Sequence, residues 1–100
     1  MKRGELWLVH ADKPRPAIVL TRDPVADRLN EVLVVLVTRT VRGLHSEVHL
    51  ERSDGVRVSC VANLDMTERL HRAMFVHRLG RVWPSTMDAI CSALHHAIGC

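Results

Sequence analysis

Glu31-Val32-Leu33-Val34-Val35-Leu36-Val37-Thr38 is a continuous, largely β-branched run that ends on a hydroxyl. Continuity of this kind is expected of a strand buried on both faces. Upstream, Lys13-Pro14-Arg15-Pro16-Ala17-Ile18-Val19-Leu20 sets an arginine at the mouth of a second apolar β run. If the two runs pair antiparallel through the connection at Thr21–Glu31, the start of one lies beside the end of the other. Arg15 then stands next to Thr38 at one rim of a sheet. A guanidinium beside a hydroxyl can grip a phosphate.

Around this pair the chain reads as short strands. Glu5–Val9 is a first strand, and Ala11–Pro16 a tight loop whose second proline opens the strand Ala17–Thr21. Asp23-Pro24 breaks that strand, and Val25–Leu29 suits one helical turn. After Thr38, Arg39–His45 holds two arginines and Gly43 and reads as a mobile basic loop. Glu47–Glu51 and Val56–Ala62 both alternate apolar and polar residues around the turn signal Ser53-Asp54-Gly55, so they predict a hairpin. Thr67–Ala73 suits a helical turn and Phe75–Val82 a last strand.

From Pro84 the period becomes helical. Met87, Ile90, Cys91, Leu94 and Ile98 form an apolar stripe, with Pro84 suited to the first turn and Gly99 to the C-terminal cap. The expectation is a single domain over residues 1–100, mainly β with α. Five to six strands make a small curled sheet or partial β-barrel closed by a C-terminal helix.

Composition limits the function classes. At 100 residues about two-thirds of the unfolded chain's surface can be buried, so the core is thin. Hydrophobic residues make up 47% and charged residues 25%, ordinary for a soluble domain. The longest apolar run, Val32–Val37, is far short of the roughly 20 residues that span a bilayer. Met1-Lys2-Arg3 leads directly into Gly4-Glu5, which is no signal peptide, so a cytoplasmic location and no membrane partner are expected. Cys60, Cys91 and Cys100 form no CxxC pair, and free thiols are expected, two of them buried. The net charge is +3, but all basic residues except Lys2 and Lys13 are arginine, the better bidentate phosphate ligand. This gives weak support to a nucleic-acid partner, and codon bias explains it equally well.

Arg3-Gly4-Glu5-Leu6-Trp7, Arg15-Pro16-Ala17-Ile18-Val19-Leu20, Leu33–Thr38 and Gly80-Arg81-Val82 before Pro84 follow one another in the order found in MazF/PemK-family toxins. The chain resembles that family over nearly its whole length. The resemblance implies an SH3-like barrel, a homodimer, and cleavage of single-stranded RNA at specific sequences. It also implies an antitoxin whose flexible acidic segment blocks the RNA groove. The family's catalytic arginine opens the second strand, here Arg15, and its catalytic threonine ends the third, here Thr38. Many relatives carry a longer first loop with a Gly-Ser-Glu or Gly-His-Glu element. Here only His10–Pro14 separates the first strand from Arg15, which bears on recognition more than on chemistry.

RNA carries its own nucleophile in the 2′-hydroxyl, so its cleavage needs no metal, no cofactor and no covalent side chain. Attack on the adjacent phosphate gives a doubly charged phosphorane that the site must stabilise while two protons move. Arg15 is the natural clamp, and Thr38 would hold a non-bridging oxygen. A salt bridge from Arg15 to Asp12 or Asp23 is the plain structural alternative. His10 is the candidate general base, against a solvated loop histidine. His45 and His49, and His95 and His96, do not have metal-ligand placement. Lys13, Arg39 and Arg42 are candidate phosphate contacts, against a solvated basic loop. Asn63 and Asp65 are candidates to read base edges, although such residues commonly cap turns. Trp7 and Trp83 could stack on bases, but core packing for Trp7 and packing on the last helix for Trp83 fit better. Rival functions are a non-catalytic RNA-binding barrel, a gyrase-poisoning toxin of the same fold, and an enzyme directed at tRNA or rRNA loops.

Overall fold

In the computed structural model, which describes residues 1–99, the elements run β1 (Glu5–His10), β2 (Pro14–Val19), β3 (Glu31–Thr38), β4 (Glu47–His49), β5 (Val61–His71), β6 (Phe75–Arg81) and α1 (Pro84–Ile98). All strand pairs are antiparallel, in the spatial order β4-β5-β3-β2-β1-β6. The ends of this order do not meet, so the sheet curls without closing. Three short 3-10 turns, Val25–Asp27, Arg52–Asp54 and Arg72–Met74, sit in the connections.

β3 separates two apolar clusters. Val35 and Val37 point with Leu6, Ile18, Ala62 and Leu64 toward α1, which contributes Met87, Ile90 and Ala93. Val32, Val34 and Leu36 point the other way, among Val9, Ala17, Val19 and Leu70. Burial on both faces therefore holds along β3, except that Leu33 is 37% exposed. Each fully buried aliphatic side chain contributes about 1.5–3 kcal/mol, so this strand is the strongest local term in the fold.

α1 has the expected limits. Pro84 occupies the first turn, and Gly99 adopts φ 73°, donating its N–H to the His95 carbonyl at 3.0 Å. The apolar stripe is rotated from the expected one. Ala93 is buried, while Cys91 and Ile98 are exposed, because the helix beds against the sheet along Met87, Ile90 and Ala93. Cys60 is buried. Cys100 lies outside the described residues.

Three strand assignments are corrected. β2 starts at Pro14 rather than Ala17, since β1 pairs with it from His10↔Pro14 onward while β3 joins only at Ala17↔Leu36. The prolines thus lie where the strand has one neighbour, and Arg15 is inside the strand. Val56–Cys60 is not strand at all. Val56 and Cys60 nonetheless pack on the helix-side cluster, so their alternation reflects burial without a ladder. Thr67–His71 belongs to β5, with only Arg72–Met74 forming a turn. β5 extends across a register break opposite Val35–Val37, which bends it to serve β3 along both halves.

Two acidic residues fix the loops. Asp54 has no exposed surface. Its Oδ2 accepts the Glu51 N–H at 2.8 Å, and its Oδ1 accepts the Trp83 N–H at 3.0 Å and the Thr86 hydroxyl at 3.1 Å. It thereby caps its own 3-10 turn and the start of α1 together. Glu47 does similar work for the loop between β3 and β4, accepting the Leu44 N–H at 3.0 Å and the Arg42 N–H at 3.1 Å. The Leu44 amide, with those of Arg42 and Gly43, holds the Glu47 carboxyl below the ordinary glutamate range.

Asp54→Ala leaves three buried or part-buried donors without acceptors, at about 1–3 kcal/mol each when fully buried. Thermal unfolding should show destabilisation of about 3 kcal/mol or more, with a smaller loss for Asp54→Asn, which keeps one oxygen. Because the Glu47 pKa is lowered in the folded chain, its contacts persist above the usual glutamate value and are lost as pH falls through the lowered one. The Arg42 and Leu44 amide NMR shifts should titrate together, with a midpoint below that of an ordinary glutamate. Glu47→Gln should abolish that titration.

Candidate active site

The register Ala17↔Leu36, carried two residues further, sets Arg15 across from Thr38 where β2 and β3 run out together. Thr38 also lines, with Pro16 and Val37, a cavity of about 290 Å³ whose lining does not include Arg15. Both residues lie at the rim because the strand pair is buried up to Leu36 and Val37 and opens immediately after.

Arg15 is mostly shielded, with a side chain 17% exposed. Its Nη2 reaches Asp12 Oδ2 at 3.4 Å, a long contact to a carboxylate that is 71% exposed. Exposed pairs of this kind are worth 1 kcal/mol or less, by rough measure. Its Nε is buried and has no hydrogen-bond partner. Of the two salt-bridge partners weighed from the sequence, Asp12 is therefore present but weak. Asp23 instead accepts the Arg3 N–H at 2.9 Å. The Thr38 hydroxyl oxygen accepts the Thr40 N–H at 3.1 Å, leaving its own proton to donate.

The other candidates separate. His10 is exposed and pairs with Pro14. Alternation along β1 turns it away from the face shared by Val9 and Arg15, so the fold does not bring it to the pair. Lys13 is exposed on the hairpin between β1 and β2. Arg39 lines the cavity beside Thr38, whereas Arg42 is further along the loop tied down by Glu47. Asn63 and Asp65 sit within the register break of β5, rather than leaving a strand as expected. Asn63 is buried and accepts the Asp65 N–H at 2.9 Å, while Asp65 accepts the Ser46 hydroxyl at 2.6 Å. Both side chains thus brace the bend. Trp7 packs edge-on against Phe75, with ring centroids 5.8 Å apart. Trp83 precedes α1 and is 55% exposed. His45 stacks on His96 of α1 at 5.2 Å.

The sequence reading missed the opposite wall of the cavity. The loop between β4 and β5 folds back so that Arg57 lines the cavity with Thr38 and Arg39. Close backbone packing fixes this loop: a Cβ on Gly80 would lie 3.1 Å from the Gly55 Cα, and Gly55 has φ 113°. The Ser53-Asp54-Gly55 turn signal marked the fold-back, but nothing local said what Arg57 would face. Cys60 lies at the cavity's inner side, where burial pushes its thiol pKa up and the Arg39 charge draws it partly back. Among the described residues, no group of three or more His, Cys, Asp or Glu side chains could hold a metal ion. Among the described residues no helix is long and apolar enough to cross a membrane.

Residues 2–98 match the family model described as PemK-like, MazF-like toxin of type II toxin-antitoxin system. The chain is 44% identical to a probable endoribonuclease MazF2 of Mycobacterium tuberculosis over 102 residues, covering 100% of both. Among solved structures it is similar to the Mycobacterium tuberculosis toxin MazF-mt6, with a TM-score of 0.91 and 29% identity over 95% of this chain and 96% of that one. It is also similar to a mycobacterial endoribonuclease solved in complex with its cognate antitoxin, with a TM-score of 0.89 and 27% identity over 99% and 95% of the two chains. With the fold, the length and the order of motifs in agreement, the chain belongs to the PemK/MazF family of toxin–antitoxin toxins and is an endoribonuclease.

Proposed function

We propose that the chain cleaves single-stranded RNA without a metal, by attack of a 2′-hydroxyl on its own phosphodiester, with Arg15 and Thr38 as the catalytic pair. The observation that carries this reading is the state of Arg15, shielded, with a buried Nε that has no partner and one long contact to a solvated carboxylate. A buried unsatisfied donor costs about 1–3 kcal/mol, which a phosphate at the rim would offset. The fork of the guanidinium matches two phosphoryl oxygens, and Thr38 can donate to one of them.

In the reaction the 2′-hydroxyl passes its proton to solvent water as its oxygen bonds to phosphorus, and the bond to the 5′-oxygen breaks as that oxygen gains a proton. The products are a 2′,3′-cyclic phosphate and a 5′-hydroxyl. Arg15 offsets the charge that develops on the phosphorane and stands near the leaving oxygen as a proton source. His10 is not assigned the base role, because it faces away from the pair.

Inhibition of translation and growth follows from such cleavage. An antitoxin with a flexible acidic segment is the fitting regulator, because Arg39 and Arg57 line one cavity with Thr38. Pairing of two copies belongs to the same reading and is supported by β6, an edge strand that exposes Val76.

Purified protein incubated in EDTA with a long single-stranded RNA should give discrete cuts with 5′-hydroxyl ends. Arg15→Ala should lower the rate by about 10²–10³ while thermal unfolding stays unchanged. Arg15→Lys should recover little, since it keeps the charge but loses the planar fork. Near-normal cutting by a folded Arg15→Ala protein would overturn the assignment, and intact RNA with the parent protein, tRNA included, would favour a binding module.

A further inference from the structure

Where β6 gives way to α1, Arg3, Arg81, Trp83 and Asp88 line a second cavity, of about 460 Å³. It shares no lining residue with the cavity beside Thr38. The strand register separates the two sites further. Val9 lies between Arg15 and Phe75, whereas Glu5 lies beside Arg81 at the other end of β6. At roughly 3.3 Å per residue, the 7 residues of β6 place this cavity about 20 Å along the strand from the catalytic end.

Both guanidiniums lack a carboxylate: neither Arg3 nor Arg81 forms an ion pair among the described residues. Arg3 Nη2 donates to the Cys91 sulfur at 3.1 Å, and sulfur is a weak acceptor. Arg81 Nη2 reaches the Arg3 carbonyl oxygen only at 3.5 Å. The pair thus gathers donors in one place with little to receive them. Trp83 is 55% exposed, although its backbone is pinned by the N–H it donates to Asp54 Oδ1 at 3.0 Å. A large aromatic left open on a fixed backbone is a stacking platform. Gly4, held at φ 88°, adds no side chain to the wall.

We infer that this cavity binds a nucleoside phosphate monoester, with its base on Trp83, its phosphate between Arg3 and Arg81, and its ribose hydroxyls toward Asp88. A terminal phosphate carries a charge of about −1.5 to −2 at neutral pH, which two guanidiniums match. Their planar forks also fit phosphoryl oxygens in pairs. Asp88 is an acceptor for hydroxyls, the role acidic residues take toward the ribose of dinucleotides. Its charge disfavours an anion that brings no donors. The volume falls in the roughly 300–1,000 Å³ of small-molecule sites. A free mononucleotide and the phosphorylated end of an RNA both carry this chemistry. The inference stands apart from the ribonuclease reading, since it uses neither Arg15 nor Thr38.

Calorimetric titration of the full chain with the four ribonucleoside 5′-monophosphates tests it. At least one should bind saturably. The same nucleoside without its phosphate, and inorganic phosphate alone, should each bind about tenfold more weakly or worse. Arg81→Ala and Trp83→Ala should each lower the affinity by about tenfold, and Trp83→Phe should recover most of it. Arg15→Ala should leave it unchanged. Oligomers of 2′-fluoro RNA, with and without a 5′-phosphate, distinguish the two sources. A phosphorylated oligomer that outbinds the mononucleotide identifies an RNA end as the ligand, and equal or weaker binding identifies the free nucleotide. Absence of saturable binding by every mononucleotide and oligomer would overturn the inference. So would loss of binding on Arg15→Ala, which would place the nucleotide at the catalytic end. Equal affinity for inorganic phosphate, indifferent to Trp83→Ala, would reduce the cavity to a simple anion site and overturn it as well.

Discussion

Burial of β3 on both faces is the constraint on which the site's geometry depends. Val34 and Leu36 belong to one cluster, Val35 and Val37 to the other, and β2 divides in the same way between Ala17 and Ile18. A slip of one residue between the strands would exchange every one of these faces. With about 1.5–3 kcal/mol at each aliphatic position, a few such exchanges match the roughly 5–15 kcal/mol that holds a whole domain. The register is thus set deep in the molecule by hydrophobic contact alone. Arg15 comes opposite Thr38 as a consequence, although neither side chain contributes to the register that aligns them.

The second wall of the site has a polar origin. The loop from β4 to β5 has no ladder beyond His49, and only a short turn of its own. It is placed by Asp54, whose buried carboxylate draws Trp83 and Thr86 of the helix end onto the loop. The helix capping its sheet and the loop lining the cavity are therefore parts of one arrangement. Gly55 and Gly80 let the loop approach β6 as closely as backbone permits. A β-carbon at either place would push the loop outward and widen the cavity beside Thr38.

Much of this was legible in the sequence, for local reasons. β3 and α1 carry strong strand and helix patterns, and their limits agree with Glu31–Thr38 and Pro84–Ile98. The placement of Arg15 and Thr38 was readable because antiparallel pairing through a short connection turns two strand ends into neighbours. Val56–Cys60 deceived the reading because apolar residues can alternate while packing from a loop, with no partner strand. Thr67–His71 looked helical because β5 outruns its exposed half, where Glu68 and Arg69 break the apolar pattern of a strand. Asn63 and Asp65 were drawn toward RNA by their chemistry, yet the bend in β5 uses both, one on a backbone amide and one on Ser46. Arg57 was out of reach, because its neighbours come from β3 and β6, far away along the chain.

A net charge of +3 understates the local positive charge, because several acidic residues are engaged elsewhere. Asp54 is buried against the helix, Glu47 binds loop amides, Asp65 binds Ser46, and Glu5 pairs with Arg78 at 3.2 Å. Asp23 binds a backbone amide, so Asp12 alone approaches Arg15, at the long distance of 3.4 Å. Acidic groups satisfied by backbone and hydroxyl donors leave guanidiniums unneutralised, and here two of them, Arg39 and Arg57, line one cavity with Thr38. Like charges closer than the screening length of about 8 Å at physiological salt repel. A polyanion relieves such repulsion. The positive charge beside Thr38 is therefore a property of where the carboxylates went, more than of how many arginines the chain carries.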